Sequence, residues 1–240
     1  MTLEFLTQSP TNTETKQKLS TIVKQKTEGR IFLLTGNVSA QRNDIAADML
    51  LSLIEWAAES KNRELVIWVG VWVDFNAVNR AREEYVKSNP GKSPDSFKYD
   101  ENEYLTTHKV ADDLANLYVQ AERKYMDRKP SPPVITPTIQ FWGVKKWHAK
   151  ALGLSGKGKE FKDAQCAIFG STNFSANALG GKSFELDLYM DTKTETGGAL
   201  LDAFIRKIVP LLDEAKTHNL VPDFQNIVFL KIAEWQKKRS

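Results

Sequence analysis

The 240-residue chain has one cysteine, three histidines and no long apolar run, and each shortage closes off a class of function. A lone Cys166 excludes an internal disulfide and any cysteine zinc cluster; within the apolar run 164–169 it reads as a buried core thiol. The histidines, His108, His148 and His218, are isolated from one another and offer no evident metal ligand set. No stretch reaches the roughly 18 apolar residues of a membrane span. Nor does any N-terminal segment join a basic start to an apolar stretch, so a cytoplasmic protein is expected. A formal net charge of +3 does not announce a polyanion partner by itself. No internal repeat is found.

What is there is an α/β pattern. "RIFLLTG" at 30–36 is a compact apolar run closed by glycine, the profile of a buried strand. The amphipathic run at 43–60 follows, with Ile45, Met49, Leu53 and Trp56 on one helical face. "ELVIWVGVWVD" at 64–74 is rich in β-branched and aromatic residues and reads as a strand. Strand, helix and strand in this order predict a right-handed crossover and a parallel pair. "NPGKSPDS" at 89–96 reads as an excursion, and Val110, Leu114, Leu117, Ala121 and Tyr125 predict a long helix. "KPSPPVITP" at 129–137 reads as a stiff connector, with an SH3-type ligand as the alternative.

After the connector, "TIQFWGV", "KWHAKALGL", "DAQCAIFG" and "SFELDLYM" predict four strands. A helix at 198–215, interrupted or kinked at Pro210, and a helix in 222–240 close the chain. The expected organisation is a weakly ordered arm or short helix at 1–28, a catalytic domain at 29–216 and a helical tail at 217–240. The expected fold is a mixed, largely parallel sheet flanked by helices.

Six lysines and one acid, Glu160, lie between Gly143 and Lys162. Gly153, Gly158 and Lys159 match G-x-x-x-x-G-K, but mechanism rules out a phosphate loop. The lysine is followed by Glu160 instead of the Ser or Thr that holds Mg²⁺, and too few residues follow for a helix whose N–H groups would face phosphates. "GLSGKGKEF" reads instead as a hairpin connection.

A second pattern in the same stretch offers more chemistry. His148 and Lys150, two apart, would project from one face of a strand. Gly170, Ser171 and Asn173 follow another strand, and Glu185 opens the next. If neighbouring strands pair, a nucleophile or base, a cation, two neutral hydrogen-bonding groups and a carboxylate converge on one rim. That set suits an anionic phosphodiester.

"HAK", Asp163, six residues and then "GSTN" resemble the H-x-K-x(4)-D-x(6)-G-S-x-N signature of the phospholipase D superfamily. The match is specific over 141–190. Twelve residues separate Lys150 from Asp163 where the signature has four. The resemblance implies His148 as nucleophile through a phosphohistidine, and Lys150 and Asn173 as phosphate ligands. It further implies Ser171 bonding within the cluster, Glu185 orienting His148, and Asp163 supporting the turn. It implies no metal and no cofactor.

The family reaction uses two histidines, and this chain has one matching motif. His108 and His218 lack its neighbours, so the second histidine is expected from another copy, in a homodimer with a composite site. The single motif, and the lysines Lys145, Lys146, Lys157 and Lys159 read as lying beside His148, favour an endonuclease on DNA or RNA. A lipid phosphodiesterase, without stable membrane association, and an inactive nucleic-acid-binding module remain as alternatives.

Overall fold

The computed structural model describes residues 3–9, 12–24, 28–38, 44–128, 138–156, 158–173, 179 and 185–238. The Pro-rich connector at 129–137 and Lys157 lie outside the described residues. Strands are β1 (Leu3–Ser9), β2 (Asn12–Thr13), β3 (Gly29–Thr35), β4 (Arg63–Val71), β5 (Thr138–Lys145), β6 (Lys150–Ser155), β7 (Ala164–Gly170) and β8 (Glu185–Asp191). Helices are α1 (Glu14–Val23), α2 (Asp44–Ala58), α3 (Phe75–Ser88), α4 (Thr107–Arg128), α5 (Glu195–Glu214) and α6 (Phe224–Lys237).

The strands form one sheet in the order β2-β1-β8-β7-β6-β3-β4-β5. β3 and β4 read as unbroken apolar runs because helices cover both of their faces. The expected crossover through α2 makes β3 and β4 parallel, and β4 and β5 are parallel as well. The sheet is mixed and flanked by helices as expected, yet parallel pairing is confined to this half. β6 runs antiparallel to β3, and β6–β7, β7–β8, β8–β1 and β1–β2 are all antiparallel. The parallel pairs are joined by helical crossovers, whereas β1–β2 and β6–β7 are joined by short connections that reverse the chain.

Leu19 and Ile22 of α1, Leu50 of α2, Leu114 of α4 and Val228 of α6 share a core on one face. On the other, Ile208 and Leu212 of α5 cover Phe32, Trp68 and Trp147. Within the first 28 residues, β1 is a sheet strand and α1, a short helix, is packed into the core. The C-terminal helix also belongs to the core, through Phe224, Val228 and Ile232.

One helix is added and two local expectations change. α3, capped by the Asp74 carboxylate accepting from the Asn76 and Ala77 N–H groups, forms before the excursion. α5 continues through Pro210 to Glu214 and passes into a π-turn at Ala215–Asn219. β6 starts at Lys150, so His148 precedes the strand.

Candidate active site

His148 stands on the connection between β5 and β6, at the carboxyl ends of the three parallel strands. In open α/β sheets that rim is where ligands bind. Lys146 has φ 57°, a left-handed backbone that a non-glycine residue adopts under constraint. The constraint is visible on both sides. The Lys146 N–H donates to Val71 O at 2.9 Å, and Trp147 is buried with its ring edge-on to Trp68. His148 is thereby left facing solvent, its ring edge-on to Trp72 at 5.7 Å.

Two glycines let the backbones converge here. A Cβ on Gly70 would lie 2.3 Å from Trp147 O and 2.5 Å from Gly36 O. One on Gly36 would lie 3.3 Å from His148 Cα and 3.4 Å from Asn173 Oδ1. Trp72 Nε1 donates to Gly36 O at 3.0 Å, tying the ends of β3 and β4 together.

Lys150 is 8% exposed, and its Nζ lies 2.7 Å from His148 Nδ1 and 3.2 Å from Nε2. A charged Lys150 ammonium is a donor only, so in this contact the ring nitrogen it meets accepts. Burial lowers the Lys150 pKa, and the Glu185 carboxylate opposes that shift from the first position of β8. Lys150 pairs with Gly170 across the β6–β7 ladder, and Gly170 with Asp187 across β7–β8. This register brings the two ends of the sequence motif onto one rim.

Of the expected residues, His148, Lys150 and Asn173 converge, with Glu185 acting on Lys150 through space. Among the described residues, Asn173 Oδ1 is buried without a hydrogen-bond partner. Ser171 sits on the same rim but is engaged with β8: its N–H donates to Leu186 O at 3.2 Å, and its Oγ accepts from Leu186 N at 3.0 Å. The polar contact of the His148 ring is with Lys150 instead of the expected Glu185.

Sequence reasoning missed Asp187. This carboxylate is buried and accepts from the Thr172 N–H at 3.1 Å, from the Thr172 hydroxyl, and from Thr15 Oγ1 at 2.7 Å. It holds the turn that carries Ser171 and Asn173. Thr15, Lys150, Asn173 and Asp187 border a cavity of about 30 Å³, room for about one water. The signal was available: Asp187 follows Glu185 by two and so shares its face of β8.

Other expected residues are not brought to this cluster. Asp163 ends a 3₁₀ turn (Phe161–Asp163) at the opposite end of the β6–β7 hairpin, with its carboxylate against Gly158. Six-residue β6 separates that end from Lys150 by about 17 Å. Lys159, also at the far end, pairs with Glu64 at 2.6 Å, so it does not lie beside His148. Lys145 and Lys146 do share the rim of His148. Lys145 donates to Asn102 Oδ1 at 2.7 Å, and Lys146 pairs with Glu101 at 2.7 Å. Among the described residues no group of three or more His, Cys, Asp and Glu side chains could hold a metal ion. No described helix is long and apolar enough to cross a membrane.

Fold and cluster together define a mixed α/β protein with a solvent-facing histidine, backed by a buried lysine, at the carboxyl ends of parallel strands. The structure is similar to that of NucT from Helicobacter pylori, at 11% identity and a TM-score of 0.44, over 91% of this chain and 98% of that one. It is similar also to Nuc from Salmonella typhimurium, a phospholipase D family member, at 9% identity and a TM-score of 0.45, over 90% and 96%. A third likeness is to phosphatidylserine synthase from Haemophilus influenzae, at 12% identity and a TM-score of 0.46, over 99% of this chain and 43% of that one. No family model matches the chain, and no curated protein does.

Proposed function

We propose that the protein is a metal-independent phosphodiesterase acting on nucleic acid, with an active site shared by two copies of the chain. The observation that carries the reading is the His148–Lys150 contact on a rim where Lys150 and Asn173 border one cavity. An exposed imidazole nitrogen is a competent nucleophile toward phosphorus. Lys150 Nζ, and the Asn173 amide through its NH₂ donors, stabilise the charge that develops on the non-bridging oxygens.

In the first step a His148 nitrogen forms a bond to phosphorus as the bond to the leaving oxygen breaks. The leaving oxygen takes a proton from a second acid, and this role falls to His148 of the second copy. In the next step water attacks the phosphohistidine, gives its proton to that second imidazole and frees His148. Glu185 keeps Lys150 cationic against the cost of its burial. Polynucleotide is favoured as substrate by the single motif and by Lys145 and Lys146 on the catalytic rim, which suit backbone phosphate contacts.

The test is incubation with plasmid, single-stranded DNA, RNA and labelled phospholipid, each with EDTA. Cleavage of nucleic acid that survives EDTA and is lost in His148→Ala is the expected result. Turnover of phospholipid alone would make the protein a lipid phosphodiesterase, and no turnover of any substrate a binding module. Sharing of the site is read by mixing wild type with excess His148→Ala under subunit exchange. Activity should fall more steeply than dilution; activity proportional to the wild-type fraction would refute the shared site.

A further inference from the structure

On the α5 side of the sheet, away from the catalytic rim, β3, β4 and β5 do not pack fully against α5. A cavity of about 310 Å³ lies between them, within the range of small-ligand sites and sharing no residue with the catalytic cluster. Its floor is aromatic. Trp68 and Trp142 are stacked, with centroids 5.4 Å apart and planes 11° apart, and Phe32 meets Phe161 edge-on at 5.3 Å. Trp142 is only half-buried and lines the cavity.

The mouth of the same cavity carries Arg30, Lys162 and Lys216, against the carboxylates of Glu160 and Asp213. Lys216 lies over the Trp142 ring at 5.9 Å and pairs loosely with Asp213, at 3.8 Å. Glu160 is different. Its carboxylate pairs with Lys162 at 2.6 Å and is held below its ordinary pKa, first by that hydrogen bond and the Lys162 charge, with Lys216 and Arg30 adding to the effect. Glu160 thus holds Lys162 at the edge of an aromatic-floored cavity, while Arg30 of the same lining is paired with Glu64. Glu160 is exposed and its side chain makes no cap bond to the turn that follows, so nothing in the fold requires it to stay.

We propose that this cavity binds a planar aromatic ligand bearing an anionic group, the chemistry of a nucleoside monophosphate, with the anion displacing the Glu160 carboxylate from Lys162, beside Lys216. The ring stacks on Trp142 and the phosphate lies at the mouth. The choice of a nucleotide over other aromatic anions rests on the proposed nuclease activity. Such a ligand comes free in solution or as the 5′-phosphorylated end of a strand, and the cavity chemistry is the same for both.

The experiment is isothermal titration at low salt with adenosine 5′-monophosphate, adenosine and inorganic phosphate, none of which requires catalysis. The monophosphate is expected to bind at least about tenfold tighter than either half, since a charge-assisted contact and a stacked ring both contribute. Glu160→Gln should tighten binding several-fold, an outcome that a misfolded variant cannot produce. Lys216→Glu and Trp142→Ala should each weaken it about tenfold or more. His148→Ala should leave it unchanged. A monophosphate that binds no better than adenosine, or indifference to Glu160→Gln, overturns the proposal. Loss of binding in His148→Ala also overturns it, by assigning the nucleotide to the catalytic rim, and leaves the nuclease reading standing. A 5′-phosphorylated hexanucleotide titrated into His148→Ala identifies the source. Affinity equal to the monophosphate's supports a strand end, and much weaker affinity supports the free nucleotide.

Discussion

Thr15 on the first helix donates its hydroxyl hydrogen to Asp187 Oδ2 on the eighth strand, across 2.7 Å and 172 positions of sequence. The bond ties the N-terminal segment to the carboxylate that also accepts from Thr172, one residue before Asn173. The first helix thus helps to fix the turn that carries Asn173.

Asp187→Ala leaves three donors without their acceptor in a buried site. It should cost about 3 kcal/mol of stability, whereas Thr15→Val, which removes one donor, should cost about 1 kcal/mol. Chemical denaturation measures both. Equal effects would mean that Asp187 is not the hub of the network.

Lys150→Met removes a buried cation that contacts His148. Activity should fall at least about a hundredfold, while stability at neutral pH rises. The folded-state pKa of Lys150 lies below its ordinary 10.5, so the folded protein binds fewer protons than the unfolded chain between those two values. Its burial penalty is complete below the lowered pKa and is relieved as pH climbs from there toward 10.5. Melting curves of the two proteins should therefore converge with rising pH.

Gly36→Ala forces His148 or Asn173 to move by a few tenths of an ångström. The fold should survive while kcat drops about ten- to a hundredfold through misalignment. Gly70→Ala drives a methyl into two backbone oxygens and should lower the melting temperature as well. If Gly36→Ala keeps full kcat, the spacing between those two residues has no part in the reaction.

Lys145→Ala with Lys146→Ala should make nucleic-acid binding less sensitive to salt, the logarithmic slope falling by about one for each phosphate that a lysine no longer neutralises. Lys159→Ala should leave the slope unchanged, because that lysine is paired with Glu64 at the far end of the hairpin. Binding isotherms across a salt series would expose the opposite ranking.

The Cys166 thiol is buried, and burial pushes its pKa up to about 12. A thiol-directed reagent at pH 8 should label the native protein only through unfolding, at a rate that rises with denaturant. Rapid labelling without denaturant would contradict this burial.

Much of this was legible because its causes are local. The unbroken apolar runs of β3 and β4 announce strands covered on both faces, and the α2 crossover between them fixes their parallel pairing. "HAK" and "GSTN" identify the rim because strand pairing joins residues that share a short hairpin. What was not legible depends on distant partners. β1 has an unremarkable composition and becomes a strand only because β8 offers an open edge. Asp187 looks like one of several surface acids until Thr15 arrives from the other end of the chain. Lys159 departs from expectation because nearness in sequence to His148 is not nearness in space: an extended β6 carries it away to Glu64.

Lys150 meets Gly170 at one end of the β6–β7 ladder, and the turn that joins the two strands lies at the other. The pairing of the motif's halves is therefore indifferent to how many residues the turn contains. Length can drift there without disturbing that pairing, and twelve residues stand between Lys150 and Asp163. The same mechanical insulation makes the tip of this hairpin the natural point for splicing in a reporter peptide while the rim that carries His148 and Lys150 keeps its geometry.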